Sequence, residues 1–101
     1  MKETFGEYIK MNRIDRGLTL TQLAAQLDLD SANLSKIENG KRGFDQKRLS
    51  KLAEAFNLTD KEVEEEYVSD CLAKQIYEMD CSAELLKVAE EKAEYRRTLK
   101  R

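Results

Sequence analysis

The chain has 101 residues, 38% of them charged, and a formal net charge of -2, so it can bury one small core beneath a heavily solvated surface. It contains two cysteines and no histidine, which excludes a tetrahedral zinc site within one chain and removes the commonest general base. We therefore expect no metal, no cofactor and no catalytic residues. No stretch is apolar enough to cross a membrane and the first residues lack a signal peptide's apolar run, so we expect a cytoplasmic protein.

The charge is distributed unevenly. Residues 1–58 carry ten Lys and Arg against eight Asp and Glu, whereas residues 59–101 carry eight against twelve. A mildly basic first part and an acidic second part suit a protein that contacts phosphates with one end only.

The first element is predicted to be a helix. Pro is absent and Gly occurs four times, which favours an all-helical chain. A helix over about Thr4–Arg16 is indicated because Phe5, Ile9 and Arg13 recur every four residues on one face. Gly17 is a suitable C-terminal stop for it.

Two short helices joined by a tight turn are predicted next. Thr19 and Gln22 form a capping box in the sequence TLTQ, which opens the second helix. Asp28 occupies the turn in a left-handed conformation that Asp tolerates, and Asp30 caps a third helix over about Ser31–Asn39. The apolar sides of these two helices are formed by Leu20, Leu23, Ala24, Leu27, Leu34 and Ile37.

A fourth helix is predicted after a loop. Asp45 is expected to cap it, and its end, LAEAFNLT over residues 52–59, repeats the pattern of LAAQLDLD over residues 23–30. We attribute the repetition to shared turn geometry, because one short match is no repeat architecture. The inward side of the fourth helix is formed by Leu49, Leu52, Ala53 and Phe56.

The last part of the chain is predicted to hold a fifth and a sixth helix. A second capping box in residues 59–62 opens the fifth, which runs from Asp60 towards Met79, and Ser82 caps the sixth. Whether a bend near Asp80 separates them is left open by the sequence. The last helix is basic at its end, which complements the helix dipole, through Arg96, Arg97, Lys100 and Arg101.

Two further features of this part have alternative interpretations. Glu64–Glu66 could suggest a metal or an acid–base site, but consecutive helical residues point in different directions, so a solvated helix start is favoured. Cys71 and Cys81 are interpreted as reduced thiols, buried or at an interface, with redox sensing as the minor alternative. The apolar positions of residues 63–99 exceed what a lone helix pair can hide, which predicts packing against a partner chain.

The order and spacing of these motifs resemble the lambda-repressor-like, or Cro/XRE, helix-turn-helix family over about residues 9–63. The resemblance implies an all-α fold, with a five-helix DNA-binding domain over residues 1–66 and a helical extension over residues 67–101. Two short helices around a tight turn can place the second helix in the major groove of DNA. The residues that carry the resemblance are Arg13, Gly17-Leu18-Thr19, Leu23-Ala24, Leu29, the run Leu34-Ser35-Lys36-Ile37-Glu38-Asn39-Gly40, and Leu52-Ala53.

The resemblance also implies roles for particular residues. An ion pair between Arg13 and Glu38 would tie the first helix to the end of the third. The expected base-reading residues, on the start and outer face of the third helix, are Ser31, Ala32, Asn33, Ser35 and Lys36. The expected phosphate-binding residues are Thr19, Thr21, Asn39, Lys41 and Arg42.

Three positions depart from the family pattern. Members often carry Gln at the position of Leu20, where it helps to bind phosphate, and Leu cannot do so. The usual turn Gly is replaced by Asp28, whose negative charge could lie near the DNA backbone, and Phe44 stands where Pro is common.

The sequence therefore predicts a transcriptional regulator, a repressor, that binds double-stranded DNA at a two-fold operator as a homodimer. The alternative is an antitoxin or another protein-interaction module, in which the acidic helices within residues 59–101 bind a protein partner. An enzyme is the weakest alternative, because no nucleophile–base pair, metal cluster or phosphate loop is visible.

Overall fold

The computed structural model of the protein describes residues 2–99. These residues form six α-helices, one 3-10 turn and no strand, so the predicted all-α fold is confirmed. Met1 lies outside the described residues, and so do Lys100 and Arg101, which belong to the predicted basic end of the last helix. The helices are α1 (Phe5–Asp15), α2 (Leu20–Gln26), α3 (Ser31–Glu38), α4 (Leu49–Phe56), α5 (Asp60–Met79) and α6 (Ala83–Leu99), and the 3-10 turn is Gln46–Arg48.

Side-chain caps fix where the helices begin. The Thr19 hydroxyl oxygen accepts from the backbone N–H of Gln22 at 3.1 Å, and Gln22 Oε1 accepts from the Thr19 N–H at 2.8 Å. Thr4 and Thr59 make the same reciprocal arrangement at the starts of α1 and α5. An α-helix leaves its first N–H groups without internal partners, so each cap satisfies donors that would otherwise be unpaired.

Non-glycine residues with positive φ mark three of the helix ends. Asp28, Asn57 and Asp80 have φ values of 58°, 56° and 54°. Asp28 and Asn57 follow α2 and α4 at equivalent points of the repeated sequence pattern, and Asp80 separates α5 from α6. The sequence left open whether a bend near Asp80 separates the fifth and sixth helices, and the structure shows that it does. Short polar side chains tolerate this left-handed conformation better than most.

The prediction that Asp45 caps the fourth helix is wrong. Asp45 caps the 3-10 turn instead: its Oδ1 accepts from the backbone N–H of Lys47 at 3.0 Å, and its Oδ2 accepts from Arg48 at 2.8 Å. Helix α4 begins afterwards at Leu49, without a side-chain cap. The chain makes one tighter turn first because the Asp45 side chain bonds a donor only two residues ahead, as in an Asx turn.

The core lies within α1–α4 and the first turn of α5. Phe44, at the position where Pro was noted as common, is buried and meets the ring of Phe5 edge-on at 5.6 Å. Leu20, another of the three positions that depart from the family pattern, is half-buried and packs against the core. The buried apolar residues are Phe5, Ile9, Leu23, Ala24, Leu27, Leu34, Ile37, Phe44, Leu49, Leu52, Ala53, Phe56 and Val63.

The chain divides into two compact units, one ending at Asp70 and one beginning at Cys71. In the first unit, α5 is tied to the start of α1, because Asp70 Oδ2 accepts from the backbone N–H of Phe5 at 3.0 Å and the Tyr67 ring lies 5.3 Å from that of Phe5. The expected division into a DNA-binding domain over residues 1–66 and a helical extension over residues 67–101 stays a prediction.

In the second unit, Cys71 is exposed and Cys81 is half-buried, both as free thiols. Of the two settings expected for them, burial is therefore wrong, and a position at an interface stays a prediction. Large apolar side chains of this unit are exposed at Leu72, Tyr77, Met79, Leu85, Val88, Tyr95 and Leu99. No helix among the described residues is both long and apolar enough to cross a bilayer.

Candidate nucleic-acid interface

Helix α3 has one buried and one open side. Leu34 and Ile37 are buried against the rest of the first unit. Ser31, Ala32 and Lys36 are exposed. The remaining predicted base-reading residues, Asn33 and Ser35, are half-buried. The open side of α3 therefore carries small or polar side chains and no large apolar one.

Arg13 and Glu38 form a bidentate ion pair between α1 and the end of α3. Arg13 Nε lies 2.7 Å from Glu38 Oε2, and Nη2 lies 3.0 Å from Oε1. The third nitrogen, Nη1, donates to the backbone carbonyl of Leu18 at 2.9 Å. The hydrogen bond to Glu38 raises the pKa of Arg13, and the two side chains are only 12% and 3% exposed. Because the pair is shielded from water, it fixes the end of α3 firmly against α1.

The turn between α2 and α3 is held by side chains from the segment around the start of α4. Arg48 Nε donates to the carbonyl of Leu27 at 2.8 Å and Nη2 donates to that of Asp28 at 3.4 Å. Lys51 donates to the carboxylate of Asp28, and this bond lowers the Asp28 pKa. The negative charge at the turn, noted as a departure from the family pattern, is therefore paired with a lysine.

Arg48 and Lys51 were missed as contributors to this site. They lie 20 or more positions from the residues that they bond, and no local pattern indicates such a contact. Gly6 was missed as well: a Cβ there would overlap the carbonyl oxygen of Ile37 and lie 2.9 Å from that of Glu38. A Gly inside a predicted helix is a signal for close packing, and it could have been used.

The predicted phosphate-binding residues lie at the start of α2 and in the loop after α3. Thr19 serves as the cap of α2, and Thr21 is exposed in its first turn. Asn39, Lys41 and Arg42 are exposed beyond the end of α3. The Arg42 side chain reaches back to the start of α3, where its Nη1 donates to Asn33 Oδ1 at 3.0 Å.

A capped helix, a left-handed turn and a second helix with an open polar side define a DNA-binding helix-turn-helix domain. The helix-turn-helix family model matches residues 9–63, which is more than half of the chain, so the chain belongs to this family, of the Cro/XRE type. The family resemblance predicted from the sequence is thus confirmed.

Several known proteins are similar to this chain. Over 57 residues it is 44% identical to the HTH-type transcriptional repressor RghR of Bacillus subtilis (strain 168), covering 55% of this chain and 42% of that protein. Its fold matches the restriction-modification controller protein C.AhdI from Aeromonas hydrophila with a TM-score of 0.53 and 29% identity, covering 58% of this chain and 89% of the other. It matches the clp gene regulator ClgR from Corynebacterium glutamicum with a TM-score of 0.56 and 25% identity, covering 87% and 88%. The chain spans half or less of the length of the curated relatives it matches.

Proposed function

We propose that this protein is a transcriptional regulator, acting as a repressor, that binds a two-fold operator in double-stranded DNA as a homodimer. The observation that carries the proposal is the open polar side of α3, anchored at its end by the pair of Arg13 and Glu38. Family membership and the repressor and regulator names of the relatives support the same function. The proposal assigns the protein to the cytoplasm.

In the proposed complex, α3 lies in the major groove. Lys36 donates to guanine O6 and N7, Ser31 and Ser35 form hydrogen bonds to base edges, and Ala32 contacts a thymine methyl group. The phosphates on either side are bound by Thr19, Thr21, Asn39, Lys41 and Arg42, which fix the register of the helix in the groove.

Dimerisation is proposed because one domain of this size makes few base contacts. Two copies related by a two-fold axis would contact half-sites one helical turn, about 34 Å, apart. The exposed apolar side chains of the second unit are the proposed contact surface between the copies. The antitoxin alternative, with a protein partner on residues 59–101, is not favoured by any relative named above.

Selection from a random DNA library at two salt concentrations, followed by sequencing of the bound duplexes, tests the proposal. We expect an enriched two-fold motif with about one helical turn between its half-sites. Salt-sensitive binding without enrichment would contradict sequence-specific recognition, and absence of binding would contradict DNA binding altogether.

A pair of charge-reversed variants serves as the control. Lys36→Glu puts a negative charge on the open side of α3 and should abolish enrichment. Lys87→Glu makes the same charge change in α6, and the enriched motif should be that of the parent protein.

A further inference from the structure

The side chains of Asp30, Asn33 and Arg42 are joined by successive hydrogen bonds at the start of α3. Asn33 Nδ2 donates to Asp30 Oδ2 at 3.1 Å, and Arg42 Nη1 donates to Asn33 Oδ1 at 3.0 Å. The other oxygen of Asp30 caps α3 by accepting from the backbone N–H of Asn33 at 2.7 Å. The Asn33 amide thus connects the cap of α3 to the loop that follows α3.

Both polar atoms of the Asn33 side-chain amide, Oδ1 and Nδ2, are used in these hydrogen bonds. An Asn that recognises adenine must direct its oxygen and its nitrogen together at the base edge. Here the oxygen accepts from Arg42 and the nitrogen donates to Asp30, so a bidentate base contact would require both bonds to break. Asn33 is also half-buried, whereas Arg42 is exposed.

We propose that Asn33 is a positioning residue, which holds the Arg42 guanidinium beside the start of α3 for a DNA phosphate, and that it does not recognise a base. This assignment rests on the function proposed above and replaces the base-reading role expected for Asn33. The bond to Asn33 uses Nη1 of Arg42, so the edge formed by Nε and Nη2 can donate two parallel hydrogen bonds to a phosphate. Holding a long side chain in place before binding reduces the entropy lost on binding.

The variant Asn33→Ala separates the two roles. Alanine keeps the backbone N–H that Asp30 accepts from, so the cap of α3 is retained. We expect Asn33→Ala to weaken binding to every duplex by one common factor, roughly two- to tenfold, which is the ordering cost of one long side chain. In a protein that already carries Arg42→Ala, the further change Asn33→Ala should have no effect, because the side chain it positions is gone.

The experiment is a fluorescence anisotropy titration of the full chain with the duplex enriched in the selection and with each single base-pair variant of that duplex. Parent, Asn33→Ala, Arg42→Ala and the double variant are compared, with Lys87→Ala in the second unit as a control for the loss of one cation. An unchanged base preference in Asn33→Ala, together with equal affinities of Arg42→Ala and the double variant, supports the proposal.

Two results would overturn the assignment while leaving the proposed function intact. The first is relaxed preference at one base pair in Asn33→Ala, which would mean that Asn33 recognises a base. The second is a multiplicative loss in the double variant, which would mean that the two residues act independently. If the parent enriches no duplex in the preceding selection, the proposed function itself fails, and the assignment fails with it.

Discussion

At the scale of single residues, the ion pair of Arg13 and Glu38 is expected to contribute strongly to stability. Glu38 is 3% exposed at its side chain, so Glu38→Ala leaves the Arg13 charge in a site shielded from water. Breaking a buried pair in this way costs about 3 kcal/mol of unfolding free energy. Urea denaturation followed by circular dichroism measures the loss as a lower midpoint at an unchanged slope.

The exposed pair of Glu94 and Arg97 provides the matched control. Both partners are about 70% exposed, so Glu94→Ala removes the same kind of interaction where water already screens it. We expect little change in the urea midpoint. Equal effects of Glu38→Ala and Glu94→Ala would contradict the anchoring role of the Arg13 pair.

Asp28 makes a pH-dependent contribution to stability. The hydrogen bond from Lys51 lowers the Asp28 pKa, so the folded state favours the carboxylate. The contribution is present above the ordinary aspartate pKa of about 3.9 and is lost as the pH falls through the lowered value. The variant Asp28→Asn keeps a short side chain that tolerates the φ of 58°, but it removes the charge.

We therefore expect the parent to be more stable than Asp28→Asn at pH 7, and the difference to shrink as the pH falls towards about 2. Denaturant titrations of both proteins across this range measure it. A stability difference that stayed constant over the whole range would show that the charge of Asp28 makes no contribution.

At the scale of helices, the contact between α1 and α3 is made partly by backbone. A Cβ at Gly6 would overlap the carbonyl oxygen of Ile37, so Gly6→Ala forces α1 away from the end of α3. Overpacking of this kind costs typically about 1–3 kcal/mol, and we expect a value at the upper end because the opposing atoms are backbone. Thermal unfolding should show a clearly lower midpoint, and DNA affinity should fall with it.

Gly43→Ala is the matched control. A Cβ at Gly43 would meet no atom within 4 Å, and the residue has no positive φ. We expect a stability equal to that of the parent or slightly higher, because alanine restricts the unfolded chain. A large loss of stability in Gly43→Ala, or none in Gly6→Ala, would contradict this account of the packing.

The helices could be predicted from the sequence to within a few residues because their boundaries depend on local chemistry. Thr19 caps a donor three residues ahead, and Asp28 is of a residue type that tolerates the left-handed turn conformation, so both features can be predicted from short segments. The contacts of Arg48, Lys51 and Asp70 join distant parts of the chain, and no short pattern specifies them. The hydrogen bonds that join Asp30, Asn33 and Arg42 likewise depend on how the loop after α3 folds back towards the start of α3.

At the scale of the whole molecule, the second unit carries the prediction of a homodimer. Leu85 is 50% exposed on α6, alongside other exposed apolar side chains of this unit. We expect sedimentation analysis to show a dimer for the parent and a monomer for Leu85→Glu, because a charge would be buried in the interface without a partner. Glu90→Lys changes a charge at an exposed position on the side of α6 opposite to Leu85, Val88 and Leu99, and it should leave the dimer intact.

The first unit should remain folded in Leu85→Glu, since Leu85 lies outside its core. A monomeric parent, or a dimer that persists in Leu85→Glu and dissociates in Glu90→Lys, would contradict the assignment of this surface. Loss of the dimer should also reduce affinity for a two-fold site far more than affinity for a single half-site.

The central claim is that the open side of α3 recognises bases, and the variant Lys36→Ala tests it most directly. The measurement is the affinity of the parent and of Lys36→Ala for the enriched duplex and for each of its single base-pair variants at one salt concentration. We predict a loss of preference at one base pair in each half-site, costing about 1–3 kcal/mol of discrimination, with the other positions unchanged. If Lys36→Ala discriminated among all the duplexes as the parent does, the proposed role of α3 in recognising DNA sequence would be contradicted.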